Sequence, residues 1–365
     1  MTTPIISLTD HSHHSVTHGR LVLEDGSVFE GRSFGYEQAQ AGEVVFSTGM
    51  VGYPETLTDA SFAGQLLILT YPLTGNYGVP LPEFWEHNRI HISGLIVSNY
   101  IDTPSHAQST MTLSAWLKQE KIPALEIKDT RLLTQHIRDS GALLGKIVFE
   151  SDIPFYDPNE ENQIAHVSTT SVLKLGTGRK KLALLDCGAK QNILRCLLKR
   201  DVELTVLPWD YPLFESGNEW SFDGLLISNG PGNPKFATPT IKTIQTALEN
   251  TIPTFGICMG NQLLTLAAGG DTYKMKFGHR SQNQPCQMVG TQRCFITTQN
   301  HGFAVGEVPE GFTPWFVNAN DGTNEGIIHS SRPFMSVQFH PEAAPGPTDT
   351  EWVFDYFLEK LETSK

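Results

Sequence analysis

The chain has 365 residues, 39% of them hydrophobic and 18% charged, with 26 Lys and Arg against 39 Asp and Glu for a net charge of −13. That length predicts two domains, and so acidic a surface argues against nucleic acid or an anionic membrane as the main partner. No apolar run approaches the roughly 18 residues of a membrane span, and the N-terminus lacks the basic-then-apolar pattern of a signal peptide. The five cysteines, Cys187, Cys196, Cys258, Cys286 and Cys294, lack C-x-x-C spacing and read as reduced thiols of a cytoplasmic protein.

Residues 1–18 are polar and histidine-rich, with His11, His13, His14 and His18. They predict a disordered tail rather than a metal-binding tract, because nothing apolar anchors them. A strand-rich α/β domain is expected over 19–150. Alternating apolar residues around Asp25-Gly26 predict a hairpin, and further strands are expected at 43–46, 65–70 and 91–97. Helices are expected at 112–119 and 130–139, the second capped by Asp129 and stopped by Gly141. Periodicity is lost over 151–180, which reads as a linker.

From 181 to 365 the pattern becomes strand–helix alternation. The apolar run 182–186 suits a strand buried on both faces. Helices at 191–199 and 241–248 alternate with strands at 202–207, 224–228 and 253–257, which implies a mostly parallel, doubly wound sheet. Ligands gather at the carboxyl ends of such strands, so Asp186, the 229–232 turn and Cys258 share a candidate rim. Strands are expected at 294–298 and 334–339. A closing helix over 349–361 is expected to carry a Thr348–Glu351 capping box and an apolar stripe of Trp352, Val353, Tyr356 and Phe357. With no linker after it, no further domain is expected.

The stretch 253–268 reads as strand, tight turn and helix, with Cys258 on the turn between Gly256 and Gly260. This is the layout of a nucleophile elbow with cysteine in place of serine, and a helix N-terminus favours an anion. Two histidines compete for the base, His301 and His340. His340 is preferred because it follows a strand of the same sheet. Pro341 biases it to an extended backbone, so Glu342, two residues on, points the same way. The roles are then nucleophile Cys258, base His340 and orienting acid Glu342. The Met259 amide is the first candidate donor to an oxyanion and the Gly230-Pro231-Gly232 turn the second. Cys187 also follows a strand, but lacks the preceding glycine and has no His-x-Glu pair left to serve it. The glycines of 74–78 are not followed by Lys-Ser/Thr, so no ATP site is expected there.

The segment 256–262 together with His340-Pro341-Glu342 resembles the class I (triad) glutamine amidotransferases, which implies a flavodoxin-like sheet and glutamine hydrolysis through a thioester. The segments 42–46, 52–55, 57–62, 70–78, 129–131, 228–234, 299–303 and 324–326 extend the resemblance to the small, glutaminase subunit of carbamoyl-phosphate synthase. That resemblance implies a glutamine site of Ser61, Gly230, Gly232, Met259, Gln262, Asn300, Gly302 and Phe303. It also implies no cofactor or metal in this chain. ATP, magnesium and bicarbonate would belong to a large synthetase subunit that receives ammonia in a stable heteromeric complex, with the chain a free-standing subunit. The product would serve arginine synthesis, pyrimidine synthesis or both. The chain departs from the family pattern at Asn261, where histidine is common, and at Ala60, where proline is common. A glutaminase subunit of another synthase, or a non-catalytic interaction subunit of the same fold, remains as an alternative.

Overall fold

The computed structural model describes residues 17–215 and 220–363. His11, His13 and His14 lie outside the described residues, whereas His18 opens the first strand opposite Arg32.

Residues 18–148 close a barrel. β1 (His18–Leu23) and β2 (Val28–Ser33) form the expected hairpin, with Gly26 at φ +89° and the Ser27 amide donating to Asp25 Oδ1 at 2.9 Å. β3 (Gln40–Ser47), α1 (Tyr53–Thr58), β4 (Gln65–Leu69), β5 (Gly94–Val97), α2 (Leu113–Gln119), β6 (Ala124–Glu126), α3 (Thr130–Ser140) and β7 (Leu143–Val148) follow. The strand order β1-β2-β6-β5-β4-β3-β7 returns to β1. Leu67, Leu95 and Val97 pack with Leu57 of α1 and Trp116 of α2. Their neighbours Leu66, Ile68 and Ile96 pack with Leu133 and Ile137 of α3. Alternate residues of these strands therefore bury opposite faces. Helices α2 and α3 begin at the caps Thr112 and Asp129, each accepting a backbone N–H three residues on, and α3 stops at Gly141 with φ +104°.

The segment 151–180, expected as a partly packed linker, carries α4 (Ile164–Val167) and β8 (Leu173–Leu175). β8 adds to the edge of the second sheet, antiparallel to β10. Three residues, two of them exposed, are too few to show a period.

The second sheet contains β9 (Lys180–Asp186), β10 (Val202–Pro208), β11 (Gly224–Ile227), β12 (Thr254–Ile257), β13 (Asp271–Met288), β14 (Cys294–Glu307), β15 (Phe312–Asn318), β16 (Asn324–His329) and β17 (Phe334–Val337). Its order is β14-β13-β15-β16-β17-β12-β11-β9-β10-β8. The centre, β10-β9-β11-β12-β17, is parallel as expected, and β13 to β16 form an antiparallel extension. α5 (Gln191–Leu198) and α8 (Trp352–Thr363) cover one face through Ile193, Leu197, Phe354 and Phe357. α6 (Thr238–Glu249) and α7 (Met259–Ala267) cover the other through Ile244, Ala247, Leu263 and Leu264.

The closing helix starts at Trp352, and ahead of it the Glu351 amide donates to the Thr348 carbonyl at 3.1 Å rather than to its hydroxyl, as the expected capping box would require. Glu351 is instead drawn to Arg200, whose Nη1 lies 3.0 Å away.

Candidate active site

The elbow is a strained backbone joint. Cys258 takes φ +54°, ψ −101° between β12 and α7, a region that costs a non-glycine residue of order 1–3 kcal/mol. Packing holds it there. A Cβ at Gly256 would fall 2.3 Å from the Gly260 carbonyl oxygen, and one at Gly260 would fall 2.3 Å from that of Ile227. Both glycines therefore permit the close approach of β11, β12 and α7. Gly256→Ala should cost about 1–3 kcal/mol by overpacking, read as a lower midpoint in a denaturant melt. The Cys258 amide donates to Val337 O at 2.8 Å, tying the elbow to β17.

Just past that anchor, the chain leaving β17 supplies the imidazole and the acid. The His340 amide donates to Thr298 O at 2.9 Å, fixing it against β14. His340 Nδ1 lies 2.6 Å from Glu342 Oε1, with both side chains fully buried. Burial opposes the imidazolium, but the Glu342 carboxylate, followed by charge on the Cys258 sulfur, outweighs it and pushes the ring up to about 10. His340 Nε2 has no hydrogen-bond partner. The Cys258 sulfur is approached at 3.6 Å by Gln338 Nε2 and lies 3.6 Å from Asn300 O. The imidazole is thus coupled to the Cys258 sulfur both by charge and by a side-chain hydrogen-bonding interaction, looser than a full hydrogen bond, of the kind that tightens when a substrate is bound.

Glu342 is held low against the penalty of burial by Lys190 and His340. Lys190, itself buried, is the residue before α5 and places Nζ 3.1 Å from Glu342 Oε1 while donating to Ala343 O. Asn192 donates to the Glu342 carbonyl. The start of α5 is fixed in turn by the barrel domain. Buried Glu86 accepts from the Asn192 amide at 2.9 Å and from Arg195 Nη1 at 3.0 Å. Burial pushes its carboxyl up to about 7, against the pull of Lys190.

The rival groups are otherwise engaged. His301 Nδ1 lies 2.8 Å from Phe303 O and Nε2 3.1 Å from Gln299 Oε1, and burial drives its ring well below the usual imidazole range. Cys187 is fully buried under Gly230, and burial raises its thiol. Asn261 is also buried. It donates to Gln338 Oε1 at 2.9 Å and accepts from Ser336 Oγ at 2.8 Å, so at this position it stitches α7 to β17.

Cys258 opens onto a narrow cleft that gathers the anticipated residues: Ser61, Gly230, Gly232, Met259, Gln262, Asn300, Gly302 and Phe303. Met259, as the first residue of α7, presents an amide with no intrahelical acceptor. Gln262 Nε2 donates to Phe303 O at 2.8 Å. A carboxylate missed at the sequence level clasps the cleft across the two domains. Asp59 Oδ1 accepts from the Ser61 amide at 2.9 Å and from Asn229 Nδ2 at 3.3 Å, and Oδ2 accepts from Asn300 Nδ2 at 3.0 Å. Asn229 Nδ2 also reaches Ser61 Oγ at 2.9 Å. Glu43, Lys274 and Arg280 line the cleft too and were not foreseen. The rim rule pointed at the end of β9 and could have found Lys190. Asp59 lay inside the resembling segment 57–62 with no role assigned to it, and nothing in the sequence marked Glu86 or Arg280.

One group with metal-ligand chemistry exists among the described residues, His279, His301 and Glu325, with ligand atoms within 4.8 Å of one another. Its members are already bonded: His279 Nδ1 lies 2.9 Å from Gln299 Oε1 and 3.3 Å from Glu325 Oε1, and Nε2 lies 2.9 Å from Asp321 Oδ2. The cluster serves as the hydrogen-bonded backing of β14.

Residues 183–360 match the family model "Glutamine amidotransferase class-I", and residues 21–147 match "Carbamoyl-phosphate synthase small chain, CPSase domain". Multifunctional protein CAD of Squalus acanthias is 51% identical over 93% of this chain and 16% of its own length. Carbamoyl-phosphate synthase [ammonia], mitochondrial, of Mus musculus is 46% identical over 94% of this chain and 24% of its own length. The chain thus spans less than a quarter of each of these relatives. A solved structure, a glutamine amidotransferase from Thermotoga maritima, is 18% identical with a TM-score of 0.37, covering 52% of this chain and 86% of that one.

Proposed function

We propose that this chain, which belongs to the carbamoyl-phosphate synthase small-chain family and carries a class I glutamine amidotransferase domain, hydrolyses L-glutamine to glutamate and ammonia and passes the ammonia to a large synthetase partner. Family membership alone does not select glutamine, since one relative is named for ammonia. The observation that carries the reading is the buried Cys258–His340–Glu342 constellation on a strained elbow, opening onto a cleft.

In this reading the Cys258 sulfur attacks the side-chain amide carbon. The oxyanion settles against the Met259 amide and the Gly230–Gly232 turn. His340, carried as imidazolium, gives its Nε2 proton to the leaving nitrogen, the C–N bond breaks, and ammonia departs from a thioester. Water then adds to the thioester, His340 accepts its proton, and the bond to sulfur breaks to release glutamate. Bicarbonate, ATP and magnesium are assigned to the synthetase partner, and the site to the cytoplasm.

The test is an assay of the full chain with and without a carbamoyl-phosphate synthase large subunit. Glutamine-dependent carbamoyl phosphate formation, co-purification of the two, and a trapped glutamyl thioester on Cys258 are expected. Binding without any glutamine hydrolysis would favour the non-catalytic reading instead.

A further inference from the structure

Arg280 is a buried cation in the cleft with too few partners. It sits on β13 opposite Asn300 of β14, is 6% exposed, and shares the cleft with Cys258, Gln262 and Phe303. A guanidinium brings five N–H donors. Here Nη1 donates to Phe277 O at 2.7 Å, while Nε is buried without an acceptor. No carboxylate pairs with it among the described residues. Glu43 and the Cys258 sulfur act on it only through charge, while burial opposes its positive form. Glu43 is already engaged by Lys274 Nζ at 2.8 Å, Gln65 Nε2 at 2.8 Å and Asn159 Nδ2 at 3.2 Å.

The neighbours of the fork are glycines. A Cβ at Gly302 would lie 3.1 Å from Nη2, and one at Gly278, whose φ is +69°, would lie 2.6 Å from Nη1. Their lack of side chains leaves room around the fork, and Gly302 lines the same cleft as Arg280. The backbone beneath it is held between domains, because the Arg280 carbonyl accepts from the Thr48 amide of the barrel at 3.1 Å. A buried, fixed and unpaired guanidinium is suited to a carboxylate, which it can bind through two parallel N–H bonds.

We propose that Arg280 binds the α-carboxylate of the substrate and thereby makes the site selective for a free amino acid over a simple amide. The proposal rests on the glutaminase reading above: with the γ-amide at Cys258, the α-carboxylate is the anionic group that glutamine offers. Arg280 is a positioning residue, so its removal raises KM rather than lowering the chemical step.

The experiment uses the full chain in complex with its large partner and compares wild type, Arg280→Met and Arg280→Lys. Two readouts are taken: KM and kcat for L-glutamine, and protection of Cys258 from iodoacetamide by L-glutamate against 4-aminobutanoate, which lacks only the α-carboxylate. Wild type should be protected by glutamate at a concentration on the order of 10²-fold lower than by 4-aminobutanoate. Arg280→Met should erase that difference and raise the glutamine KM by a similar factor, with kcat changed less than about threefold. Arg280→Lys should recover part of the preference, and it carries the test should the methionine variant not fold. Unchanged preference between the two acids, or a loss confined to kcat, would overturn the proposal while leaving glutamine hydrolysis by the wild type intact. No hydrolysis by the wild type would instead sink the glutaminase reading.

Discussion

Cys258→Ser should abolish glutamine-dependent carbamoyl phosphate synthesis by the complex, by about 10³-fold or more, while synthesis from added ammonia stays near the wild-type rate. The hydroxyl is smaller than the thiol and can still meet Gln338 Nε2, which now approaches the sulfur at 3.6 Å, so the elbow should fold as before. What is lost is the nucleophile. A serine hydroxyl must be deprotonated as it attacks, whereas the resting His340 already carries its proton, pushed up to about 10 by Glu342 against burial. An imidazolium can donate to a leaving nitrogen but cannot accept from a hydroxyl. The two activities would separate because the ammonia donor is proposed to lie in this chain and the ATP chemistry in a synthetase partner. Equal loss of both would show that Cys258 supports the assembly rather than the hydrolysis. A surviving glutamine-dependent rate would show that the thioester route is wrong.

How far the sequence carries depends on the reach of each interaction. The elbow was legible because its requirements are local: glycines two residues either side of Cys258 and a helix that begins at once. His340 and Glu342 were legible because Pro341 fixes the backbone between them. The parallel centre of the sheet follows from apolar runs that must be buried on both faces. The barrel closure was not legible, since β7 returning to β1 leaves no periodic mark. Nor were β13, β15 and β16, whose polar and bulged stretches hide the alternation. The hardest residues were those that act across the domain boundary. Asp59 joins Asn229 and Asn300 from 170 and 241 positions away, and Glu86 reaches Arg195 across 109. Their chemistry exists only once the barrel is seated on the sheet. Asn261 departs from the family pattern without disturbing the triad, because its amide bonds to Gln338 and Ser336 inside the core.

Glu342→Gln is expected to reduce glutamine hydrolysis by roughly 10³- to 10⁴-fold, as removal of the orienting carboxylate does in other triads, with a smaller change in KM. The amide keeps the shape and one acceptor for His340 Nδ1, now 2.6 Å from Glu342 Oε1. It cannot balance the imidazolium, and it leaves Lys190 facing a neutral group where its Nζ now sits 3.1 Å from a carboxylate. The pH dependence of stability distinguishes this electrostatic role from mere packing. Because the folded protein holds His340 at about 10, above the ordinary value near 6.5, its contribution is complete below about 6.5 and is lost as pH rises through about 10. Glu342 is shifted the other way, so its contribution is present above the ordinary carboxylate range and lost as pH falls through its lowered value. Thermal melts of the wild type should therefore decline between pH 7 and 10, and those of Glu342→Gln should start lower and decline less. If the variant melts with the wild-type slope across that range, the buried carboxylate does not govern the charge of the imidazole. The proton that His340 is proposed to deliver to ammonia would then need another source.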